Sequence, residues 1–227
     1  MSKKLMLTTS IYVLWKQKDN LKSQLKIRKK LKKDAKMTLE KYVITGGPGV
    51  GKTTLIEELK AQGYATVPEA SRMVILEEQQ KNTGILPWTN LYEFQKLVVQ
   101  KQQELEVKVI QEARCIPNSA AENFIFLDRG MIDNIAYCRE GRIAVPEELE
   151  KAVAGVSYAG IFLLDPLSSY AQDAQRKEDG EKAEKLHQFI QEVYQEQGYA
   201  IIQVPVLSVE ERVSFLLGKI KEIRKLK

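Results

Sequence analysis

The 227-residue sequence predicts an α/β fold, a mostly parallel sheet covered by helices on both faces. Three observations predict it. Short apolar runs alternate with longer stretches of helical periodicity from residue 41 to residue 224, the pattern of strands joined by helical crossovers. One run, Phe124 to Asp128 (FIFLD), is apolar without interruption up to its final acid, as suits a strand buried on both faces. Another, Tyr42–Ile44, opens into a Gly-rich loop and then a helix rich in Leu, Ile, Glu and Lys, so that residues 42–55 read YVITGGPGVGKTTL.

In chain order, Lys41–Thr45 is the first expected strand and Lys52–Gln62 the first helix, stopped by Gly63. Tyr64–Val67 is a second strand ending at Pro68. Helical patterns fill Glu69–Lys81 and Thr89–Ala113, the latter with Leu91, Phe94, Val98, Leu105 and Val109 on one side. Trp88 fits a staple at the start of that second helix better than a pocket wall. Phe124–Asp128 is the third strand, and short helices follow near Asp133–Arg139 and Pro146–Val153. Gly160–Leu164 is the fourth strand, and a charged loop, Asp165–Gly180, leads to a helix over Glu181–Gln197. Gly198 ends that helix, Tyr199–Val204 is the fifth strand, and Ser208 caps a last helix reaching about Arg224. Residues 37–227 form one domain on this reading, behind a basic N-terminal extension of residues 1–36.

Gly46, Gly51, Lys52 and Thr53 fit the spacing G-x-x-x-x-G-K-[ST] of a phosphate-binding loop. Such a loop must turn several backbone N–H groups onto one anion, using angles that Gly alone adopts cheaply. The positive end of the following helix adds to the same spot. The stretch Gly46, Gly47, Pro48, Gly49, Val50, Gly51, Lys52, Thr53 and Thr54 is therefore expected to bind a nucleoside triphosphate. Lys52 supplies a mobile charge for the β- and γ-phosphates, and the Thr53 hydroxyl can ligate Mg²⁺.

Other positions carry chemistry around it. Asp128 ends a central strand, where ligands sit in open parallel sheets, and can hold Mg²⁺ or its water shell beside Thr53. Arg129 follows at once, and its guanidinium suits a phosphate oxygen. Glu69 and Arg72 fall one turn apart at the mouth of the second strand. Glu69 reads equally as a general base for an acceptor hydroxyl and as the acidic start of a helix. Asp133 and Tyr137 share a helix face at i, i+4 and would contact an acceptor, although Tyr137 also suits core packing. Arg176 and Lys177, in the loop after the fourth strand, would deliver a cation from a lid or simply solvate a charged surface.

Composition removes several classes of function. With one histidine, His187, a His-based metal cluster cannot be built; His187 itself lies in a helical pattern and reads as a surface or boundary residue, which leaves no histidine for Ser-His-Asp chemistry. Cys115 and Cys138 are far apart and form no CxxC, which speaks against a disulfide framework or zinc site. The net charge of +5 is uneven. Residues 1–36 hold twelve of the 35 basic and two of the 30 acidic residues, a net +10, which leaves 23 basic and 28 acidic residues, a net −5, in the remainder. No specific nucleic-acid partner is expected of the domain; the arm reads as a disordered or loosely helical extension, and an anionic membrane surface is the one contact it would suit if it has a task. The apolar patch near the start is interrupted by Thr8, Thr9 and Ser10 and has no small-residue cleavage site, so it is neither a signal peptide nor a span. A cytoplasmic protein is expected. Met37 stands just before the first strand and can itself serve as a start, which would make residues 1–36 an extension outside the protein.

The segments GGPGVGKTT, GYATVPEASR, FLDRGMIDNIAYC, YAQDAQRKE, GYAIIQVP and VEERVSFL together resemble the small P-loop ATPase/kinase group with AAA-type domains. That group is related to the ribosylnicotinamide-kinase domain of the NAD-biosynthesis regulator. It includes an animal branch, the TRPL-translocation-defect proteins, which resemble GTP- and phosphoinositide-binding factors. The resemblance covers residues 40–224. It implies a nucleoside-kinase-like P-loop fold, with a five-stranded parallel sheet of order 2-3-1-4-5. It also implies ATP (or GTP) with Mg²⁺ at Gly46–Thr54 and Asp128, and Arg129 near phosphate. The expected activity is Mg²⁺-dependent transfer of the γ-phosphoryl group of ATP to a small metabolite, with a nucleoside among the candidate acceptors. The alternative is a nucleotide-dependent switch with a protein or phosphoinositide partner. No N-K-x-D guanine-reading motif occurs, which disfavours a regulatory GTPase.

Overall fold

The computed structural model describes residues 39–115, 123–166 and 174–226, with side chains at all of these except 114, 115 and 174–179. Contacts divide the chain into Met1–Thr38 and Leu39–Lys227, and the second unit is the one described. The basic extension of residues 1–36 lies outside the described residues.

The sheet consists of β1 (Glu40–Thr45), β2 (Ala65–Val67), β3 (Phe124–Asp128), β4 (Gly160–Leu164) and β5 (Ile201–Val204), in the order β2-β3-β1-β4-β5. Every pairing is parallel, with Ile44 opposite Asp128 and Thr45 opposite Leu163. The carboxyl ends of β1 and β3, the two central strands that lead into the phosphate loop and Arg129, therefore lie side by side.

Alternation along these strands divides the core between two faces. Tyr42, Ile44, Phe124, Phe126, Phe162 and Leu164 face α1 (Lys52–Ala61) and α7 (Val209–Lys225). The intervening Val43, Ile125, Leu127, Ile161 and Leu163 face the other helical layer. All five are fully buried, so these strands read as unbroken apolar runs. Burial of each such side chain stabilises by about 1.5–3 kcal/mol. On the α1/α7 face the Tyr42 ring meets Phe124 edge-on at 5.4 Å, an arrangement aromatic quadrupoles favour.

The second layer holds α3 (Leu91–Cys115), α4 (Asp133–Glu140), α5 (Glu147–Gly155) and α6 (Ala174–Glu196). Between β2 and β3, α2 (Ala70–Lys81) and α3 form a hairpin with its own small core of Ala70, Val74, Phe94 and Val98. At α7 the expected cap is present in full. The Glu211 N–H donates to Ser208 Oγ at 3.2 Å and the Ser208 N–H donates to Glu211 Oε2 at 2.9 Å.

Two local expectations are corrected. The helix expected over Glu181–Gln197 begins at Ala174, so the second half of the loop read as Asp165–Gly180 is helical. Leu186, Ile190, Val193 and Tyr194 anchor α6 in the core, and helix propagates from them through Gly180, which costs only about 1 kcal/mol within a helix. Trp88 is 64% exposed, too open for the packing that a helix-entry staple requires. Cys138 is buried and unpaired, and burial pushes its thiol up to about 11, which leaves it inert. Among the described residues no helix is long and apolar enough to cross a membrane.

Candidate nucleotide-binding site

The phosphate loop leaves β1 at Gly46, whose φ of 139° belongs to glycine; a Cβ there would meet Leu164 O at 3.0 Å and Val50 Cγ2 at 3.1 Å. At its far end Gly51 (φ 89°) stands in the left-handed region as the N-cap of α1. No acid occupies the first turn of α1, so the positive end of that helix is left for an anion. Pro48 and Gly49 form an exposed crest between these anchors, Thr53 is half-buried and Thr54 is exposed.

Lys52 is buried, and its ammonium donates to Gly46 O at 3.0 Å and Gly47 O at 2.6 Å. Burial, reinforced by the Arg129 charge, brings it down to about 7 against the pull of Asp128, Glu69 and Asp133. A cation held only by neutral carbonyls has its strongest partner still to come, and a phosphate would supply it.

Asp128 sits at the end of β3, 5% exposed, and its Oδ1 has no hydrogen-bond partner. Burial and the neighbouring Glu69 push it up to about 6, although Arg129 and Lys52 oppose them. An orphaned buried carboxylate oxygen beside a phosphate loop fits a hard cation or its water shell. Among the described residues no group of three or more His, Cys, Asp or Glu could hold a metal ion. A divalent ion would thus rely on Asp128, Thr53 and the oxygens of a nucleotide, the few-ligand pattern of Mg²⁺.

Arg129 carries the densest set of contacts. Its N–H donates to Ile44 O at 3.0 Å, while its φ of 71° is strained for a residue with a side chain. The side chain donates from Nε to Glu69 Oε1 at 3.2 Å and from Nη1 to Gly46 O at 3.1 Å, lies 3.5 Å from Asp133 Oδ1, and covers the Tyr137 ring at 5.3 Å. Glu69 is the N-cap residue of α2, yet its side chain caps nothing; it takes Arg129 and the Ser71 hydroxyl, the latter at 2.8 Å. Burial alone would raise Glu69, but Arg129, Ser71 and Lys52 together hold it below the usual range. Arg72 is largely exposed, 3.7 Å from Glu69.

Asp133, expected to contact an acceptor, is 1% exposed and has both oxygens bonded within the protein. Thr45 Oγ1 donates to Oδ1, and the Gly130 N–H (2.8 Å) and Tyr194 OH (2.6 Å) donate to Oδ2. It ties the end of β1, the β3–α4 turn and α6 together, so an acceptor could reach it only if one of these donors let go. Lys52, Asp128, Arg129, Glu69, Asp133 and Tyr137 thus meet in one place. Arg176 and Lys177 belong to the backbone of α6, and their side chains lie outside the described residues.

Two residues at the loop escape sequence reasoning. The Gly47 N–H donates to His187 Nδ1 at 3.3 Å, and a Cβ on Gly47 would meet Ala183 O at 2.9 Å, so α6 packs directly on the loop. Burial lowers the His187 pKa although Asp165 opposes it, and the neutral ring is the form that can accept this bond. Its signal was present: His187 falls three residues before Ile190 and seven before Tyr194, on the buried stripe of α6. Arg212 likewise falls four residues before Leu216 on the buried stripe of α7, and its Nη1 donates to Val50 O at 2.8 Å. On α3, the buried Gln102 donates to Glu106 and to Arg129 O, while Gln95 Oε1 has no partner.

A parallel sheet of this order, with a Gly-rich loop, Lys and Thr between β1 and α1 and an acid at the end of β3, defines a P-loop nucleotide-binding domain. A family profile described as an AAA domain matches residues 41–212. The chain belongs to that AAA-domain family. Among solved structures it is similar to a NadR protein in complex with NR, with a TM-score of 0.52 and 18% identity over 74% of this chain and 44% of that one. A NadR protein in complex with NAD and AMP-PNP gives 0.48 and 16% over the same shares. The chain therefore spans less than half the length of these structural relatives. None of the curated proteins matches it in sequence.

Proposed function

We propose that this chain is a phosphotransferase that moves the γ-phosphoryl group of ATP to a hydroxyl of a small metabolite, a nucleoside being the leading candidate. The observation that carries the proposal is the Glu69–Arg129 pair, brought from two different elements to the carboxyl edge of the sheet beside Lys52 and Asp128. Phosphate binding alone needs no carboxylate there, whereas transfer to a hydroxyl needs a proton acceptor and a cation beside the moving group.

In the proposed reaction the loop N–H groups cradle the α- and β-phosphates and Lys52 binds the β- and γ-phosphates, with the ammonium passing from the Gly46 and Gly47 carbonyls to phosphate oxygen. Thr53 and Asp128 would hold Mg²⁺, which when bound neutralises phosphate charge. Arg129 orients the γ-phosphoryl group. Glu69, ionised at neutral pH, takes the proton as the acceptor oxygen bonds to phosphorus and the bond to the β-phosphate oxygen breaks, releasing ADP. The α2–α3 hairpin would wall the acceptor side.

The test is a thermal-shift screen of ATP and GTP, then of candidate nucleosides with ATP present, followed by ADP formation with each stabilising compound. Acceptor-dependent ADP release with a phosphorylated product is expected. Slow release that ignores every acceptor would refute transfer and leave a nucleotide-dependent switch.

A further inference from the structure

Three Lys or Arg side chains are buried among the described residues: Lys52, Arg129 and Arg212. Arg129 has acids beside it, Glu69 and Asp133. Lys52 and Arg212 have none within ion-pair distance among the described residues, and both are held by carbonyls of the phosphate loop instead. Lys52 grips the loop at Gly46 and Gly47. Arg212 grips it at the other end, donating from Nη1 to Val50 O at 2.8 Å, with that nitrogen 3.1 Å from where a Cβ on Gly51 would stand. Arg212 is 5% exposed and its Nε has no hydrogen-bond partner. The acids of the same helical turn do not compensate it, because Glu210 is exposed and Glu211 is engaged in the capping box with Ser208.

A buried guanidinium with no counter-charge and an unused N–H destabilises a fold. One neutral carbonyl does not neutralise it, so packing alone gives no reason for a cation at this point. Lys52 too is held by loop carbonyls with no acid within ion-pair distance, and there the proposed reaction supplies a phosphate as the anion. An anion arriving at the Gly51 end of the loop would complete Arg212 in the same way.

We propose that Arg212 is a third cation of the nucleotide site, beside Lys52 and Arg129, and neutralises the α-phosphate through its unpaired Nε edge. Loop N–H groups of this kind cradle the α- and β-phosphates while the loop lysine reaches the β- and γ-phosphates. Lys52 holds the loop at Gly46 and Gly47 and Arg212 holds its other end at Val50 and Gly51, which on this proposal is the side of the nucleoside. The ligand class is any nucleoside di- or triphosphate, since both carry the α-phosphate. The inference rests on the nucleotide-binding reading of the loop but is independent of the acceptor.

The test uses the full chain with Arg212→Met and Arg212→Lys, measuring ATP and ADP affinity by calorimetry and the melting temperature without nucleotide. R212M is expected to weaken ATP and ADP by a similar factor, about ten- to a hundredfold. Its nucleotide-free melting temperature should stay level or rise, because Met fills the space without an unpaired charge. R212K should recover part of the affinity for both nucleotides. A merely structural brace would give the reverse, with R212M melting lower or failing to fold while R212K folds and binds like wild type. That result overturns the inference, and so does a loss confined to ATP, which would place the cation at the γ-phosphate. If wild-type protein binds neither ATP nor ADP, the nucleotide reading itself fails and takes this inference with it.

Discussion

Replacing Asp133 by Asn tests whether this residue braces the site or touches substrate. In the native site one oxygen accepts from Thr45 and lies beside Arg129, and the other accepts from the Gly130 N–H and Tyr194 OH. Asn keeps the shape but turns one oxygen into a donor. The least costly orientation leaves oxygen toward Gly130 and Tyr194, lets the Thr45 hydroxyl rotate to accept, and deprives Arg129 of one counter-charge. Bonds to a charged acceptor contribute about 1.5–3 kcal/mol and neutral ones about 0.5–1.5. Weakening two or three of them should cost about 3 kcal/mol. For a domain of this size each kcal/mol shifts Tm by about 2–4 °C, so D133N should melt about 6–12 °C lower. D133A should fall further, since the Gly130 N–H and Tyr194 OH would remain buried without acceptors. Tyr194→Phe removes one of the same bonds, so the double variant Y194F/D133N should cost less than the sum of the single changes. Calorimetric melts of the wild type and the four variants without nucleotide measure all of this. A D133N protein melting within about 2 °C of wild type, yet raised in KM for the acceptor, would refute the brace and return Asp133 to the acceptor site.

Further outcomes follow from the same geometry. Lys52→Ala should lower ATP affinity about ten- to a hundredfold, from about 1.5–3 kcal/mol for a charge-assisted phosphate contact, without lowering Tm; calorimetry that finds unchanged ATP binding would sink the phosphate-loop assignment. Asp128→Asn should reduce Mg²⁺-dependent turnover far more than metal-free nucleotide binding, and should not destabilise the protein, because no donor satisfies the Oδ1 it replaces. Normal turnover by that variant would make Asp128 a structural residue. His187 has its folded pKa lowered, so its contribution to stability is complete above the unfolded value of about 6.5 and is lost as pH falls through the folded value. The Tm difference between wild type and His187→Gln should accordingly shrink between pH 7.5 and 5.5, and a difference that grows on acidification would show the ring to be protonated in the native state.

What the sequence determined by itself is local in origin. Short apolar runs and the 3.6-residue period place all five strands and the helices between them, because the central strands are buried on both faces and each helix must bury the face it carries. The phosphate loop is legible for a similar reason, since its glycines, Lys52 and Thr53 act through backbone angles and reach within nine residues. FIFLD marks Asp128 because a continuous apolar run ending in an acid has few other uses in such a fold. The start of α6 was not legible, because Gly180 is a weak breaker and the packing of Leu186 and Ile190 outweighs it. Nor were the partners of the residues that support the site. Tyr194 meets Asp133 across 61 residues and Thr45 meets it across 88, while His187 reaches Gly47 across 140 and Arg212 reaches Val50 across 162. In sequence each of these is one polar residue on a helix or beside a loop, and solvent would satisfy it equally well. Only the packing of α4, α6 and α7 against the carboxyl edge of the sheet removes that solvent, and burial then compels each polar group to find the partner that defines its role.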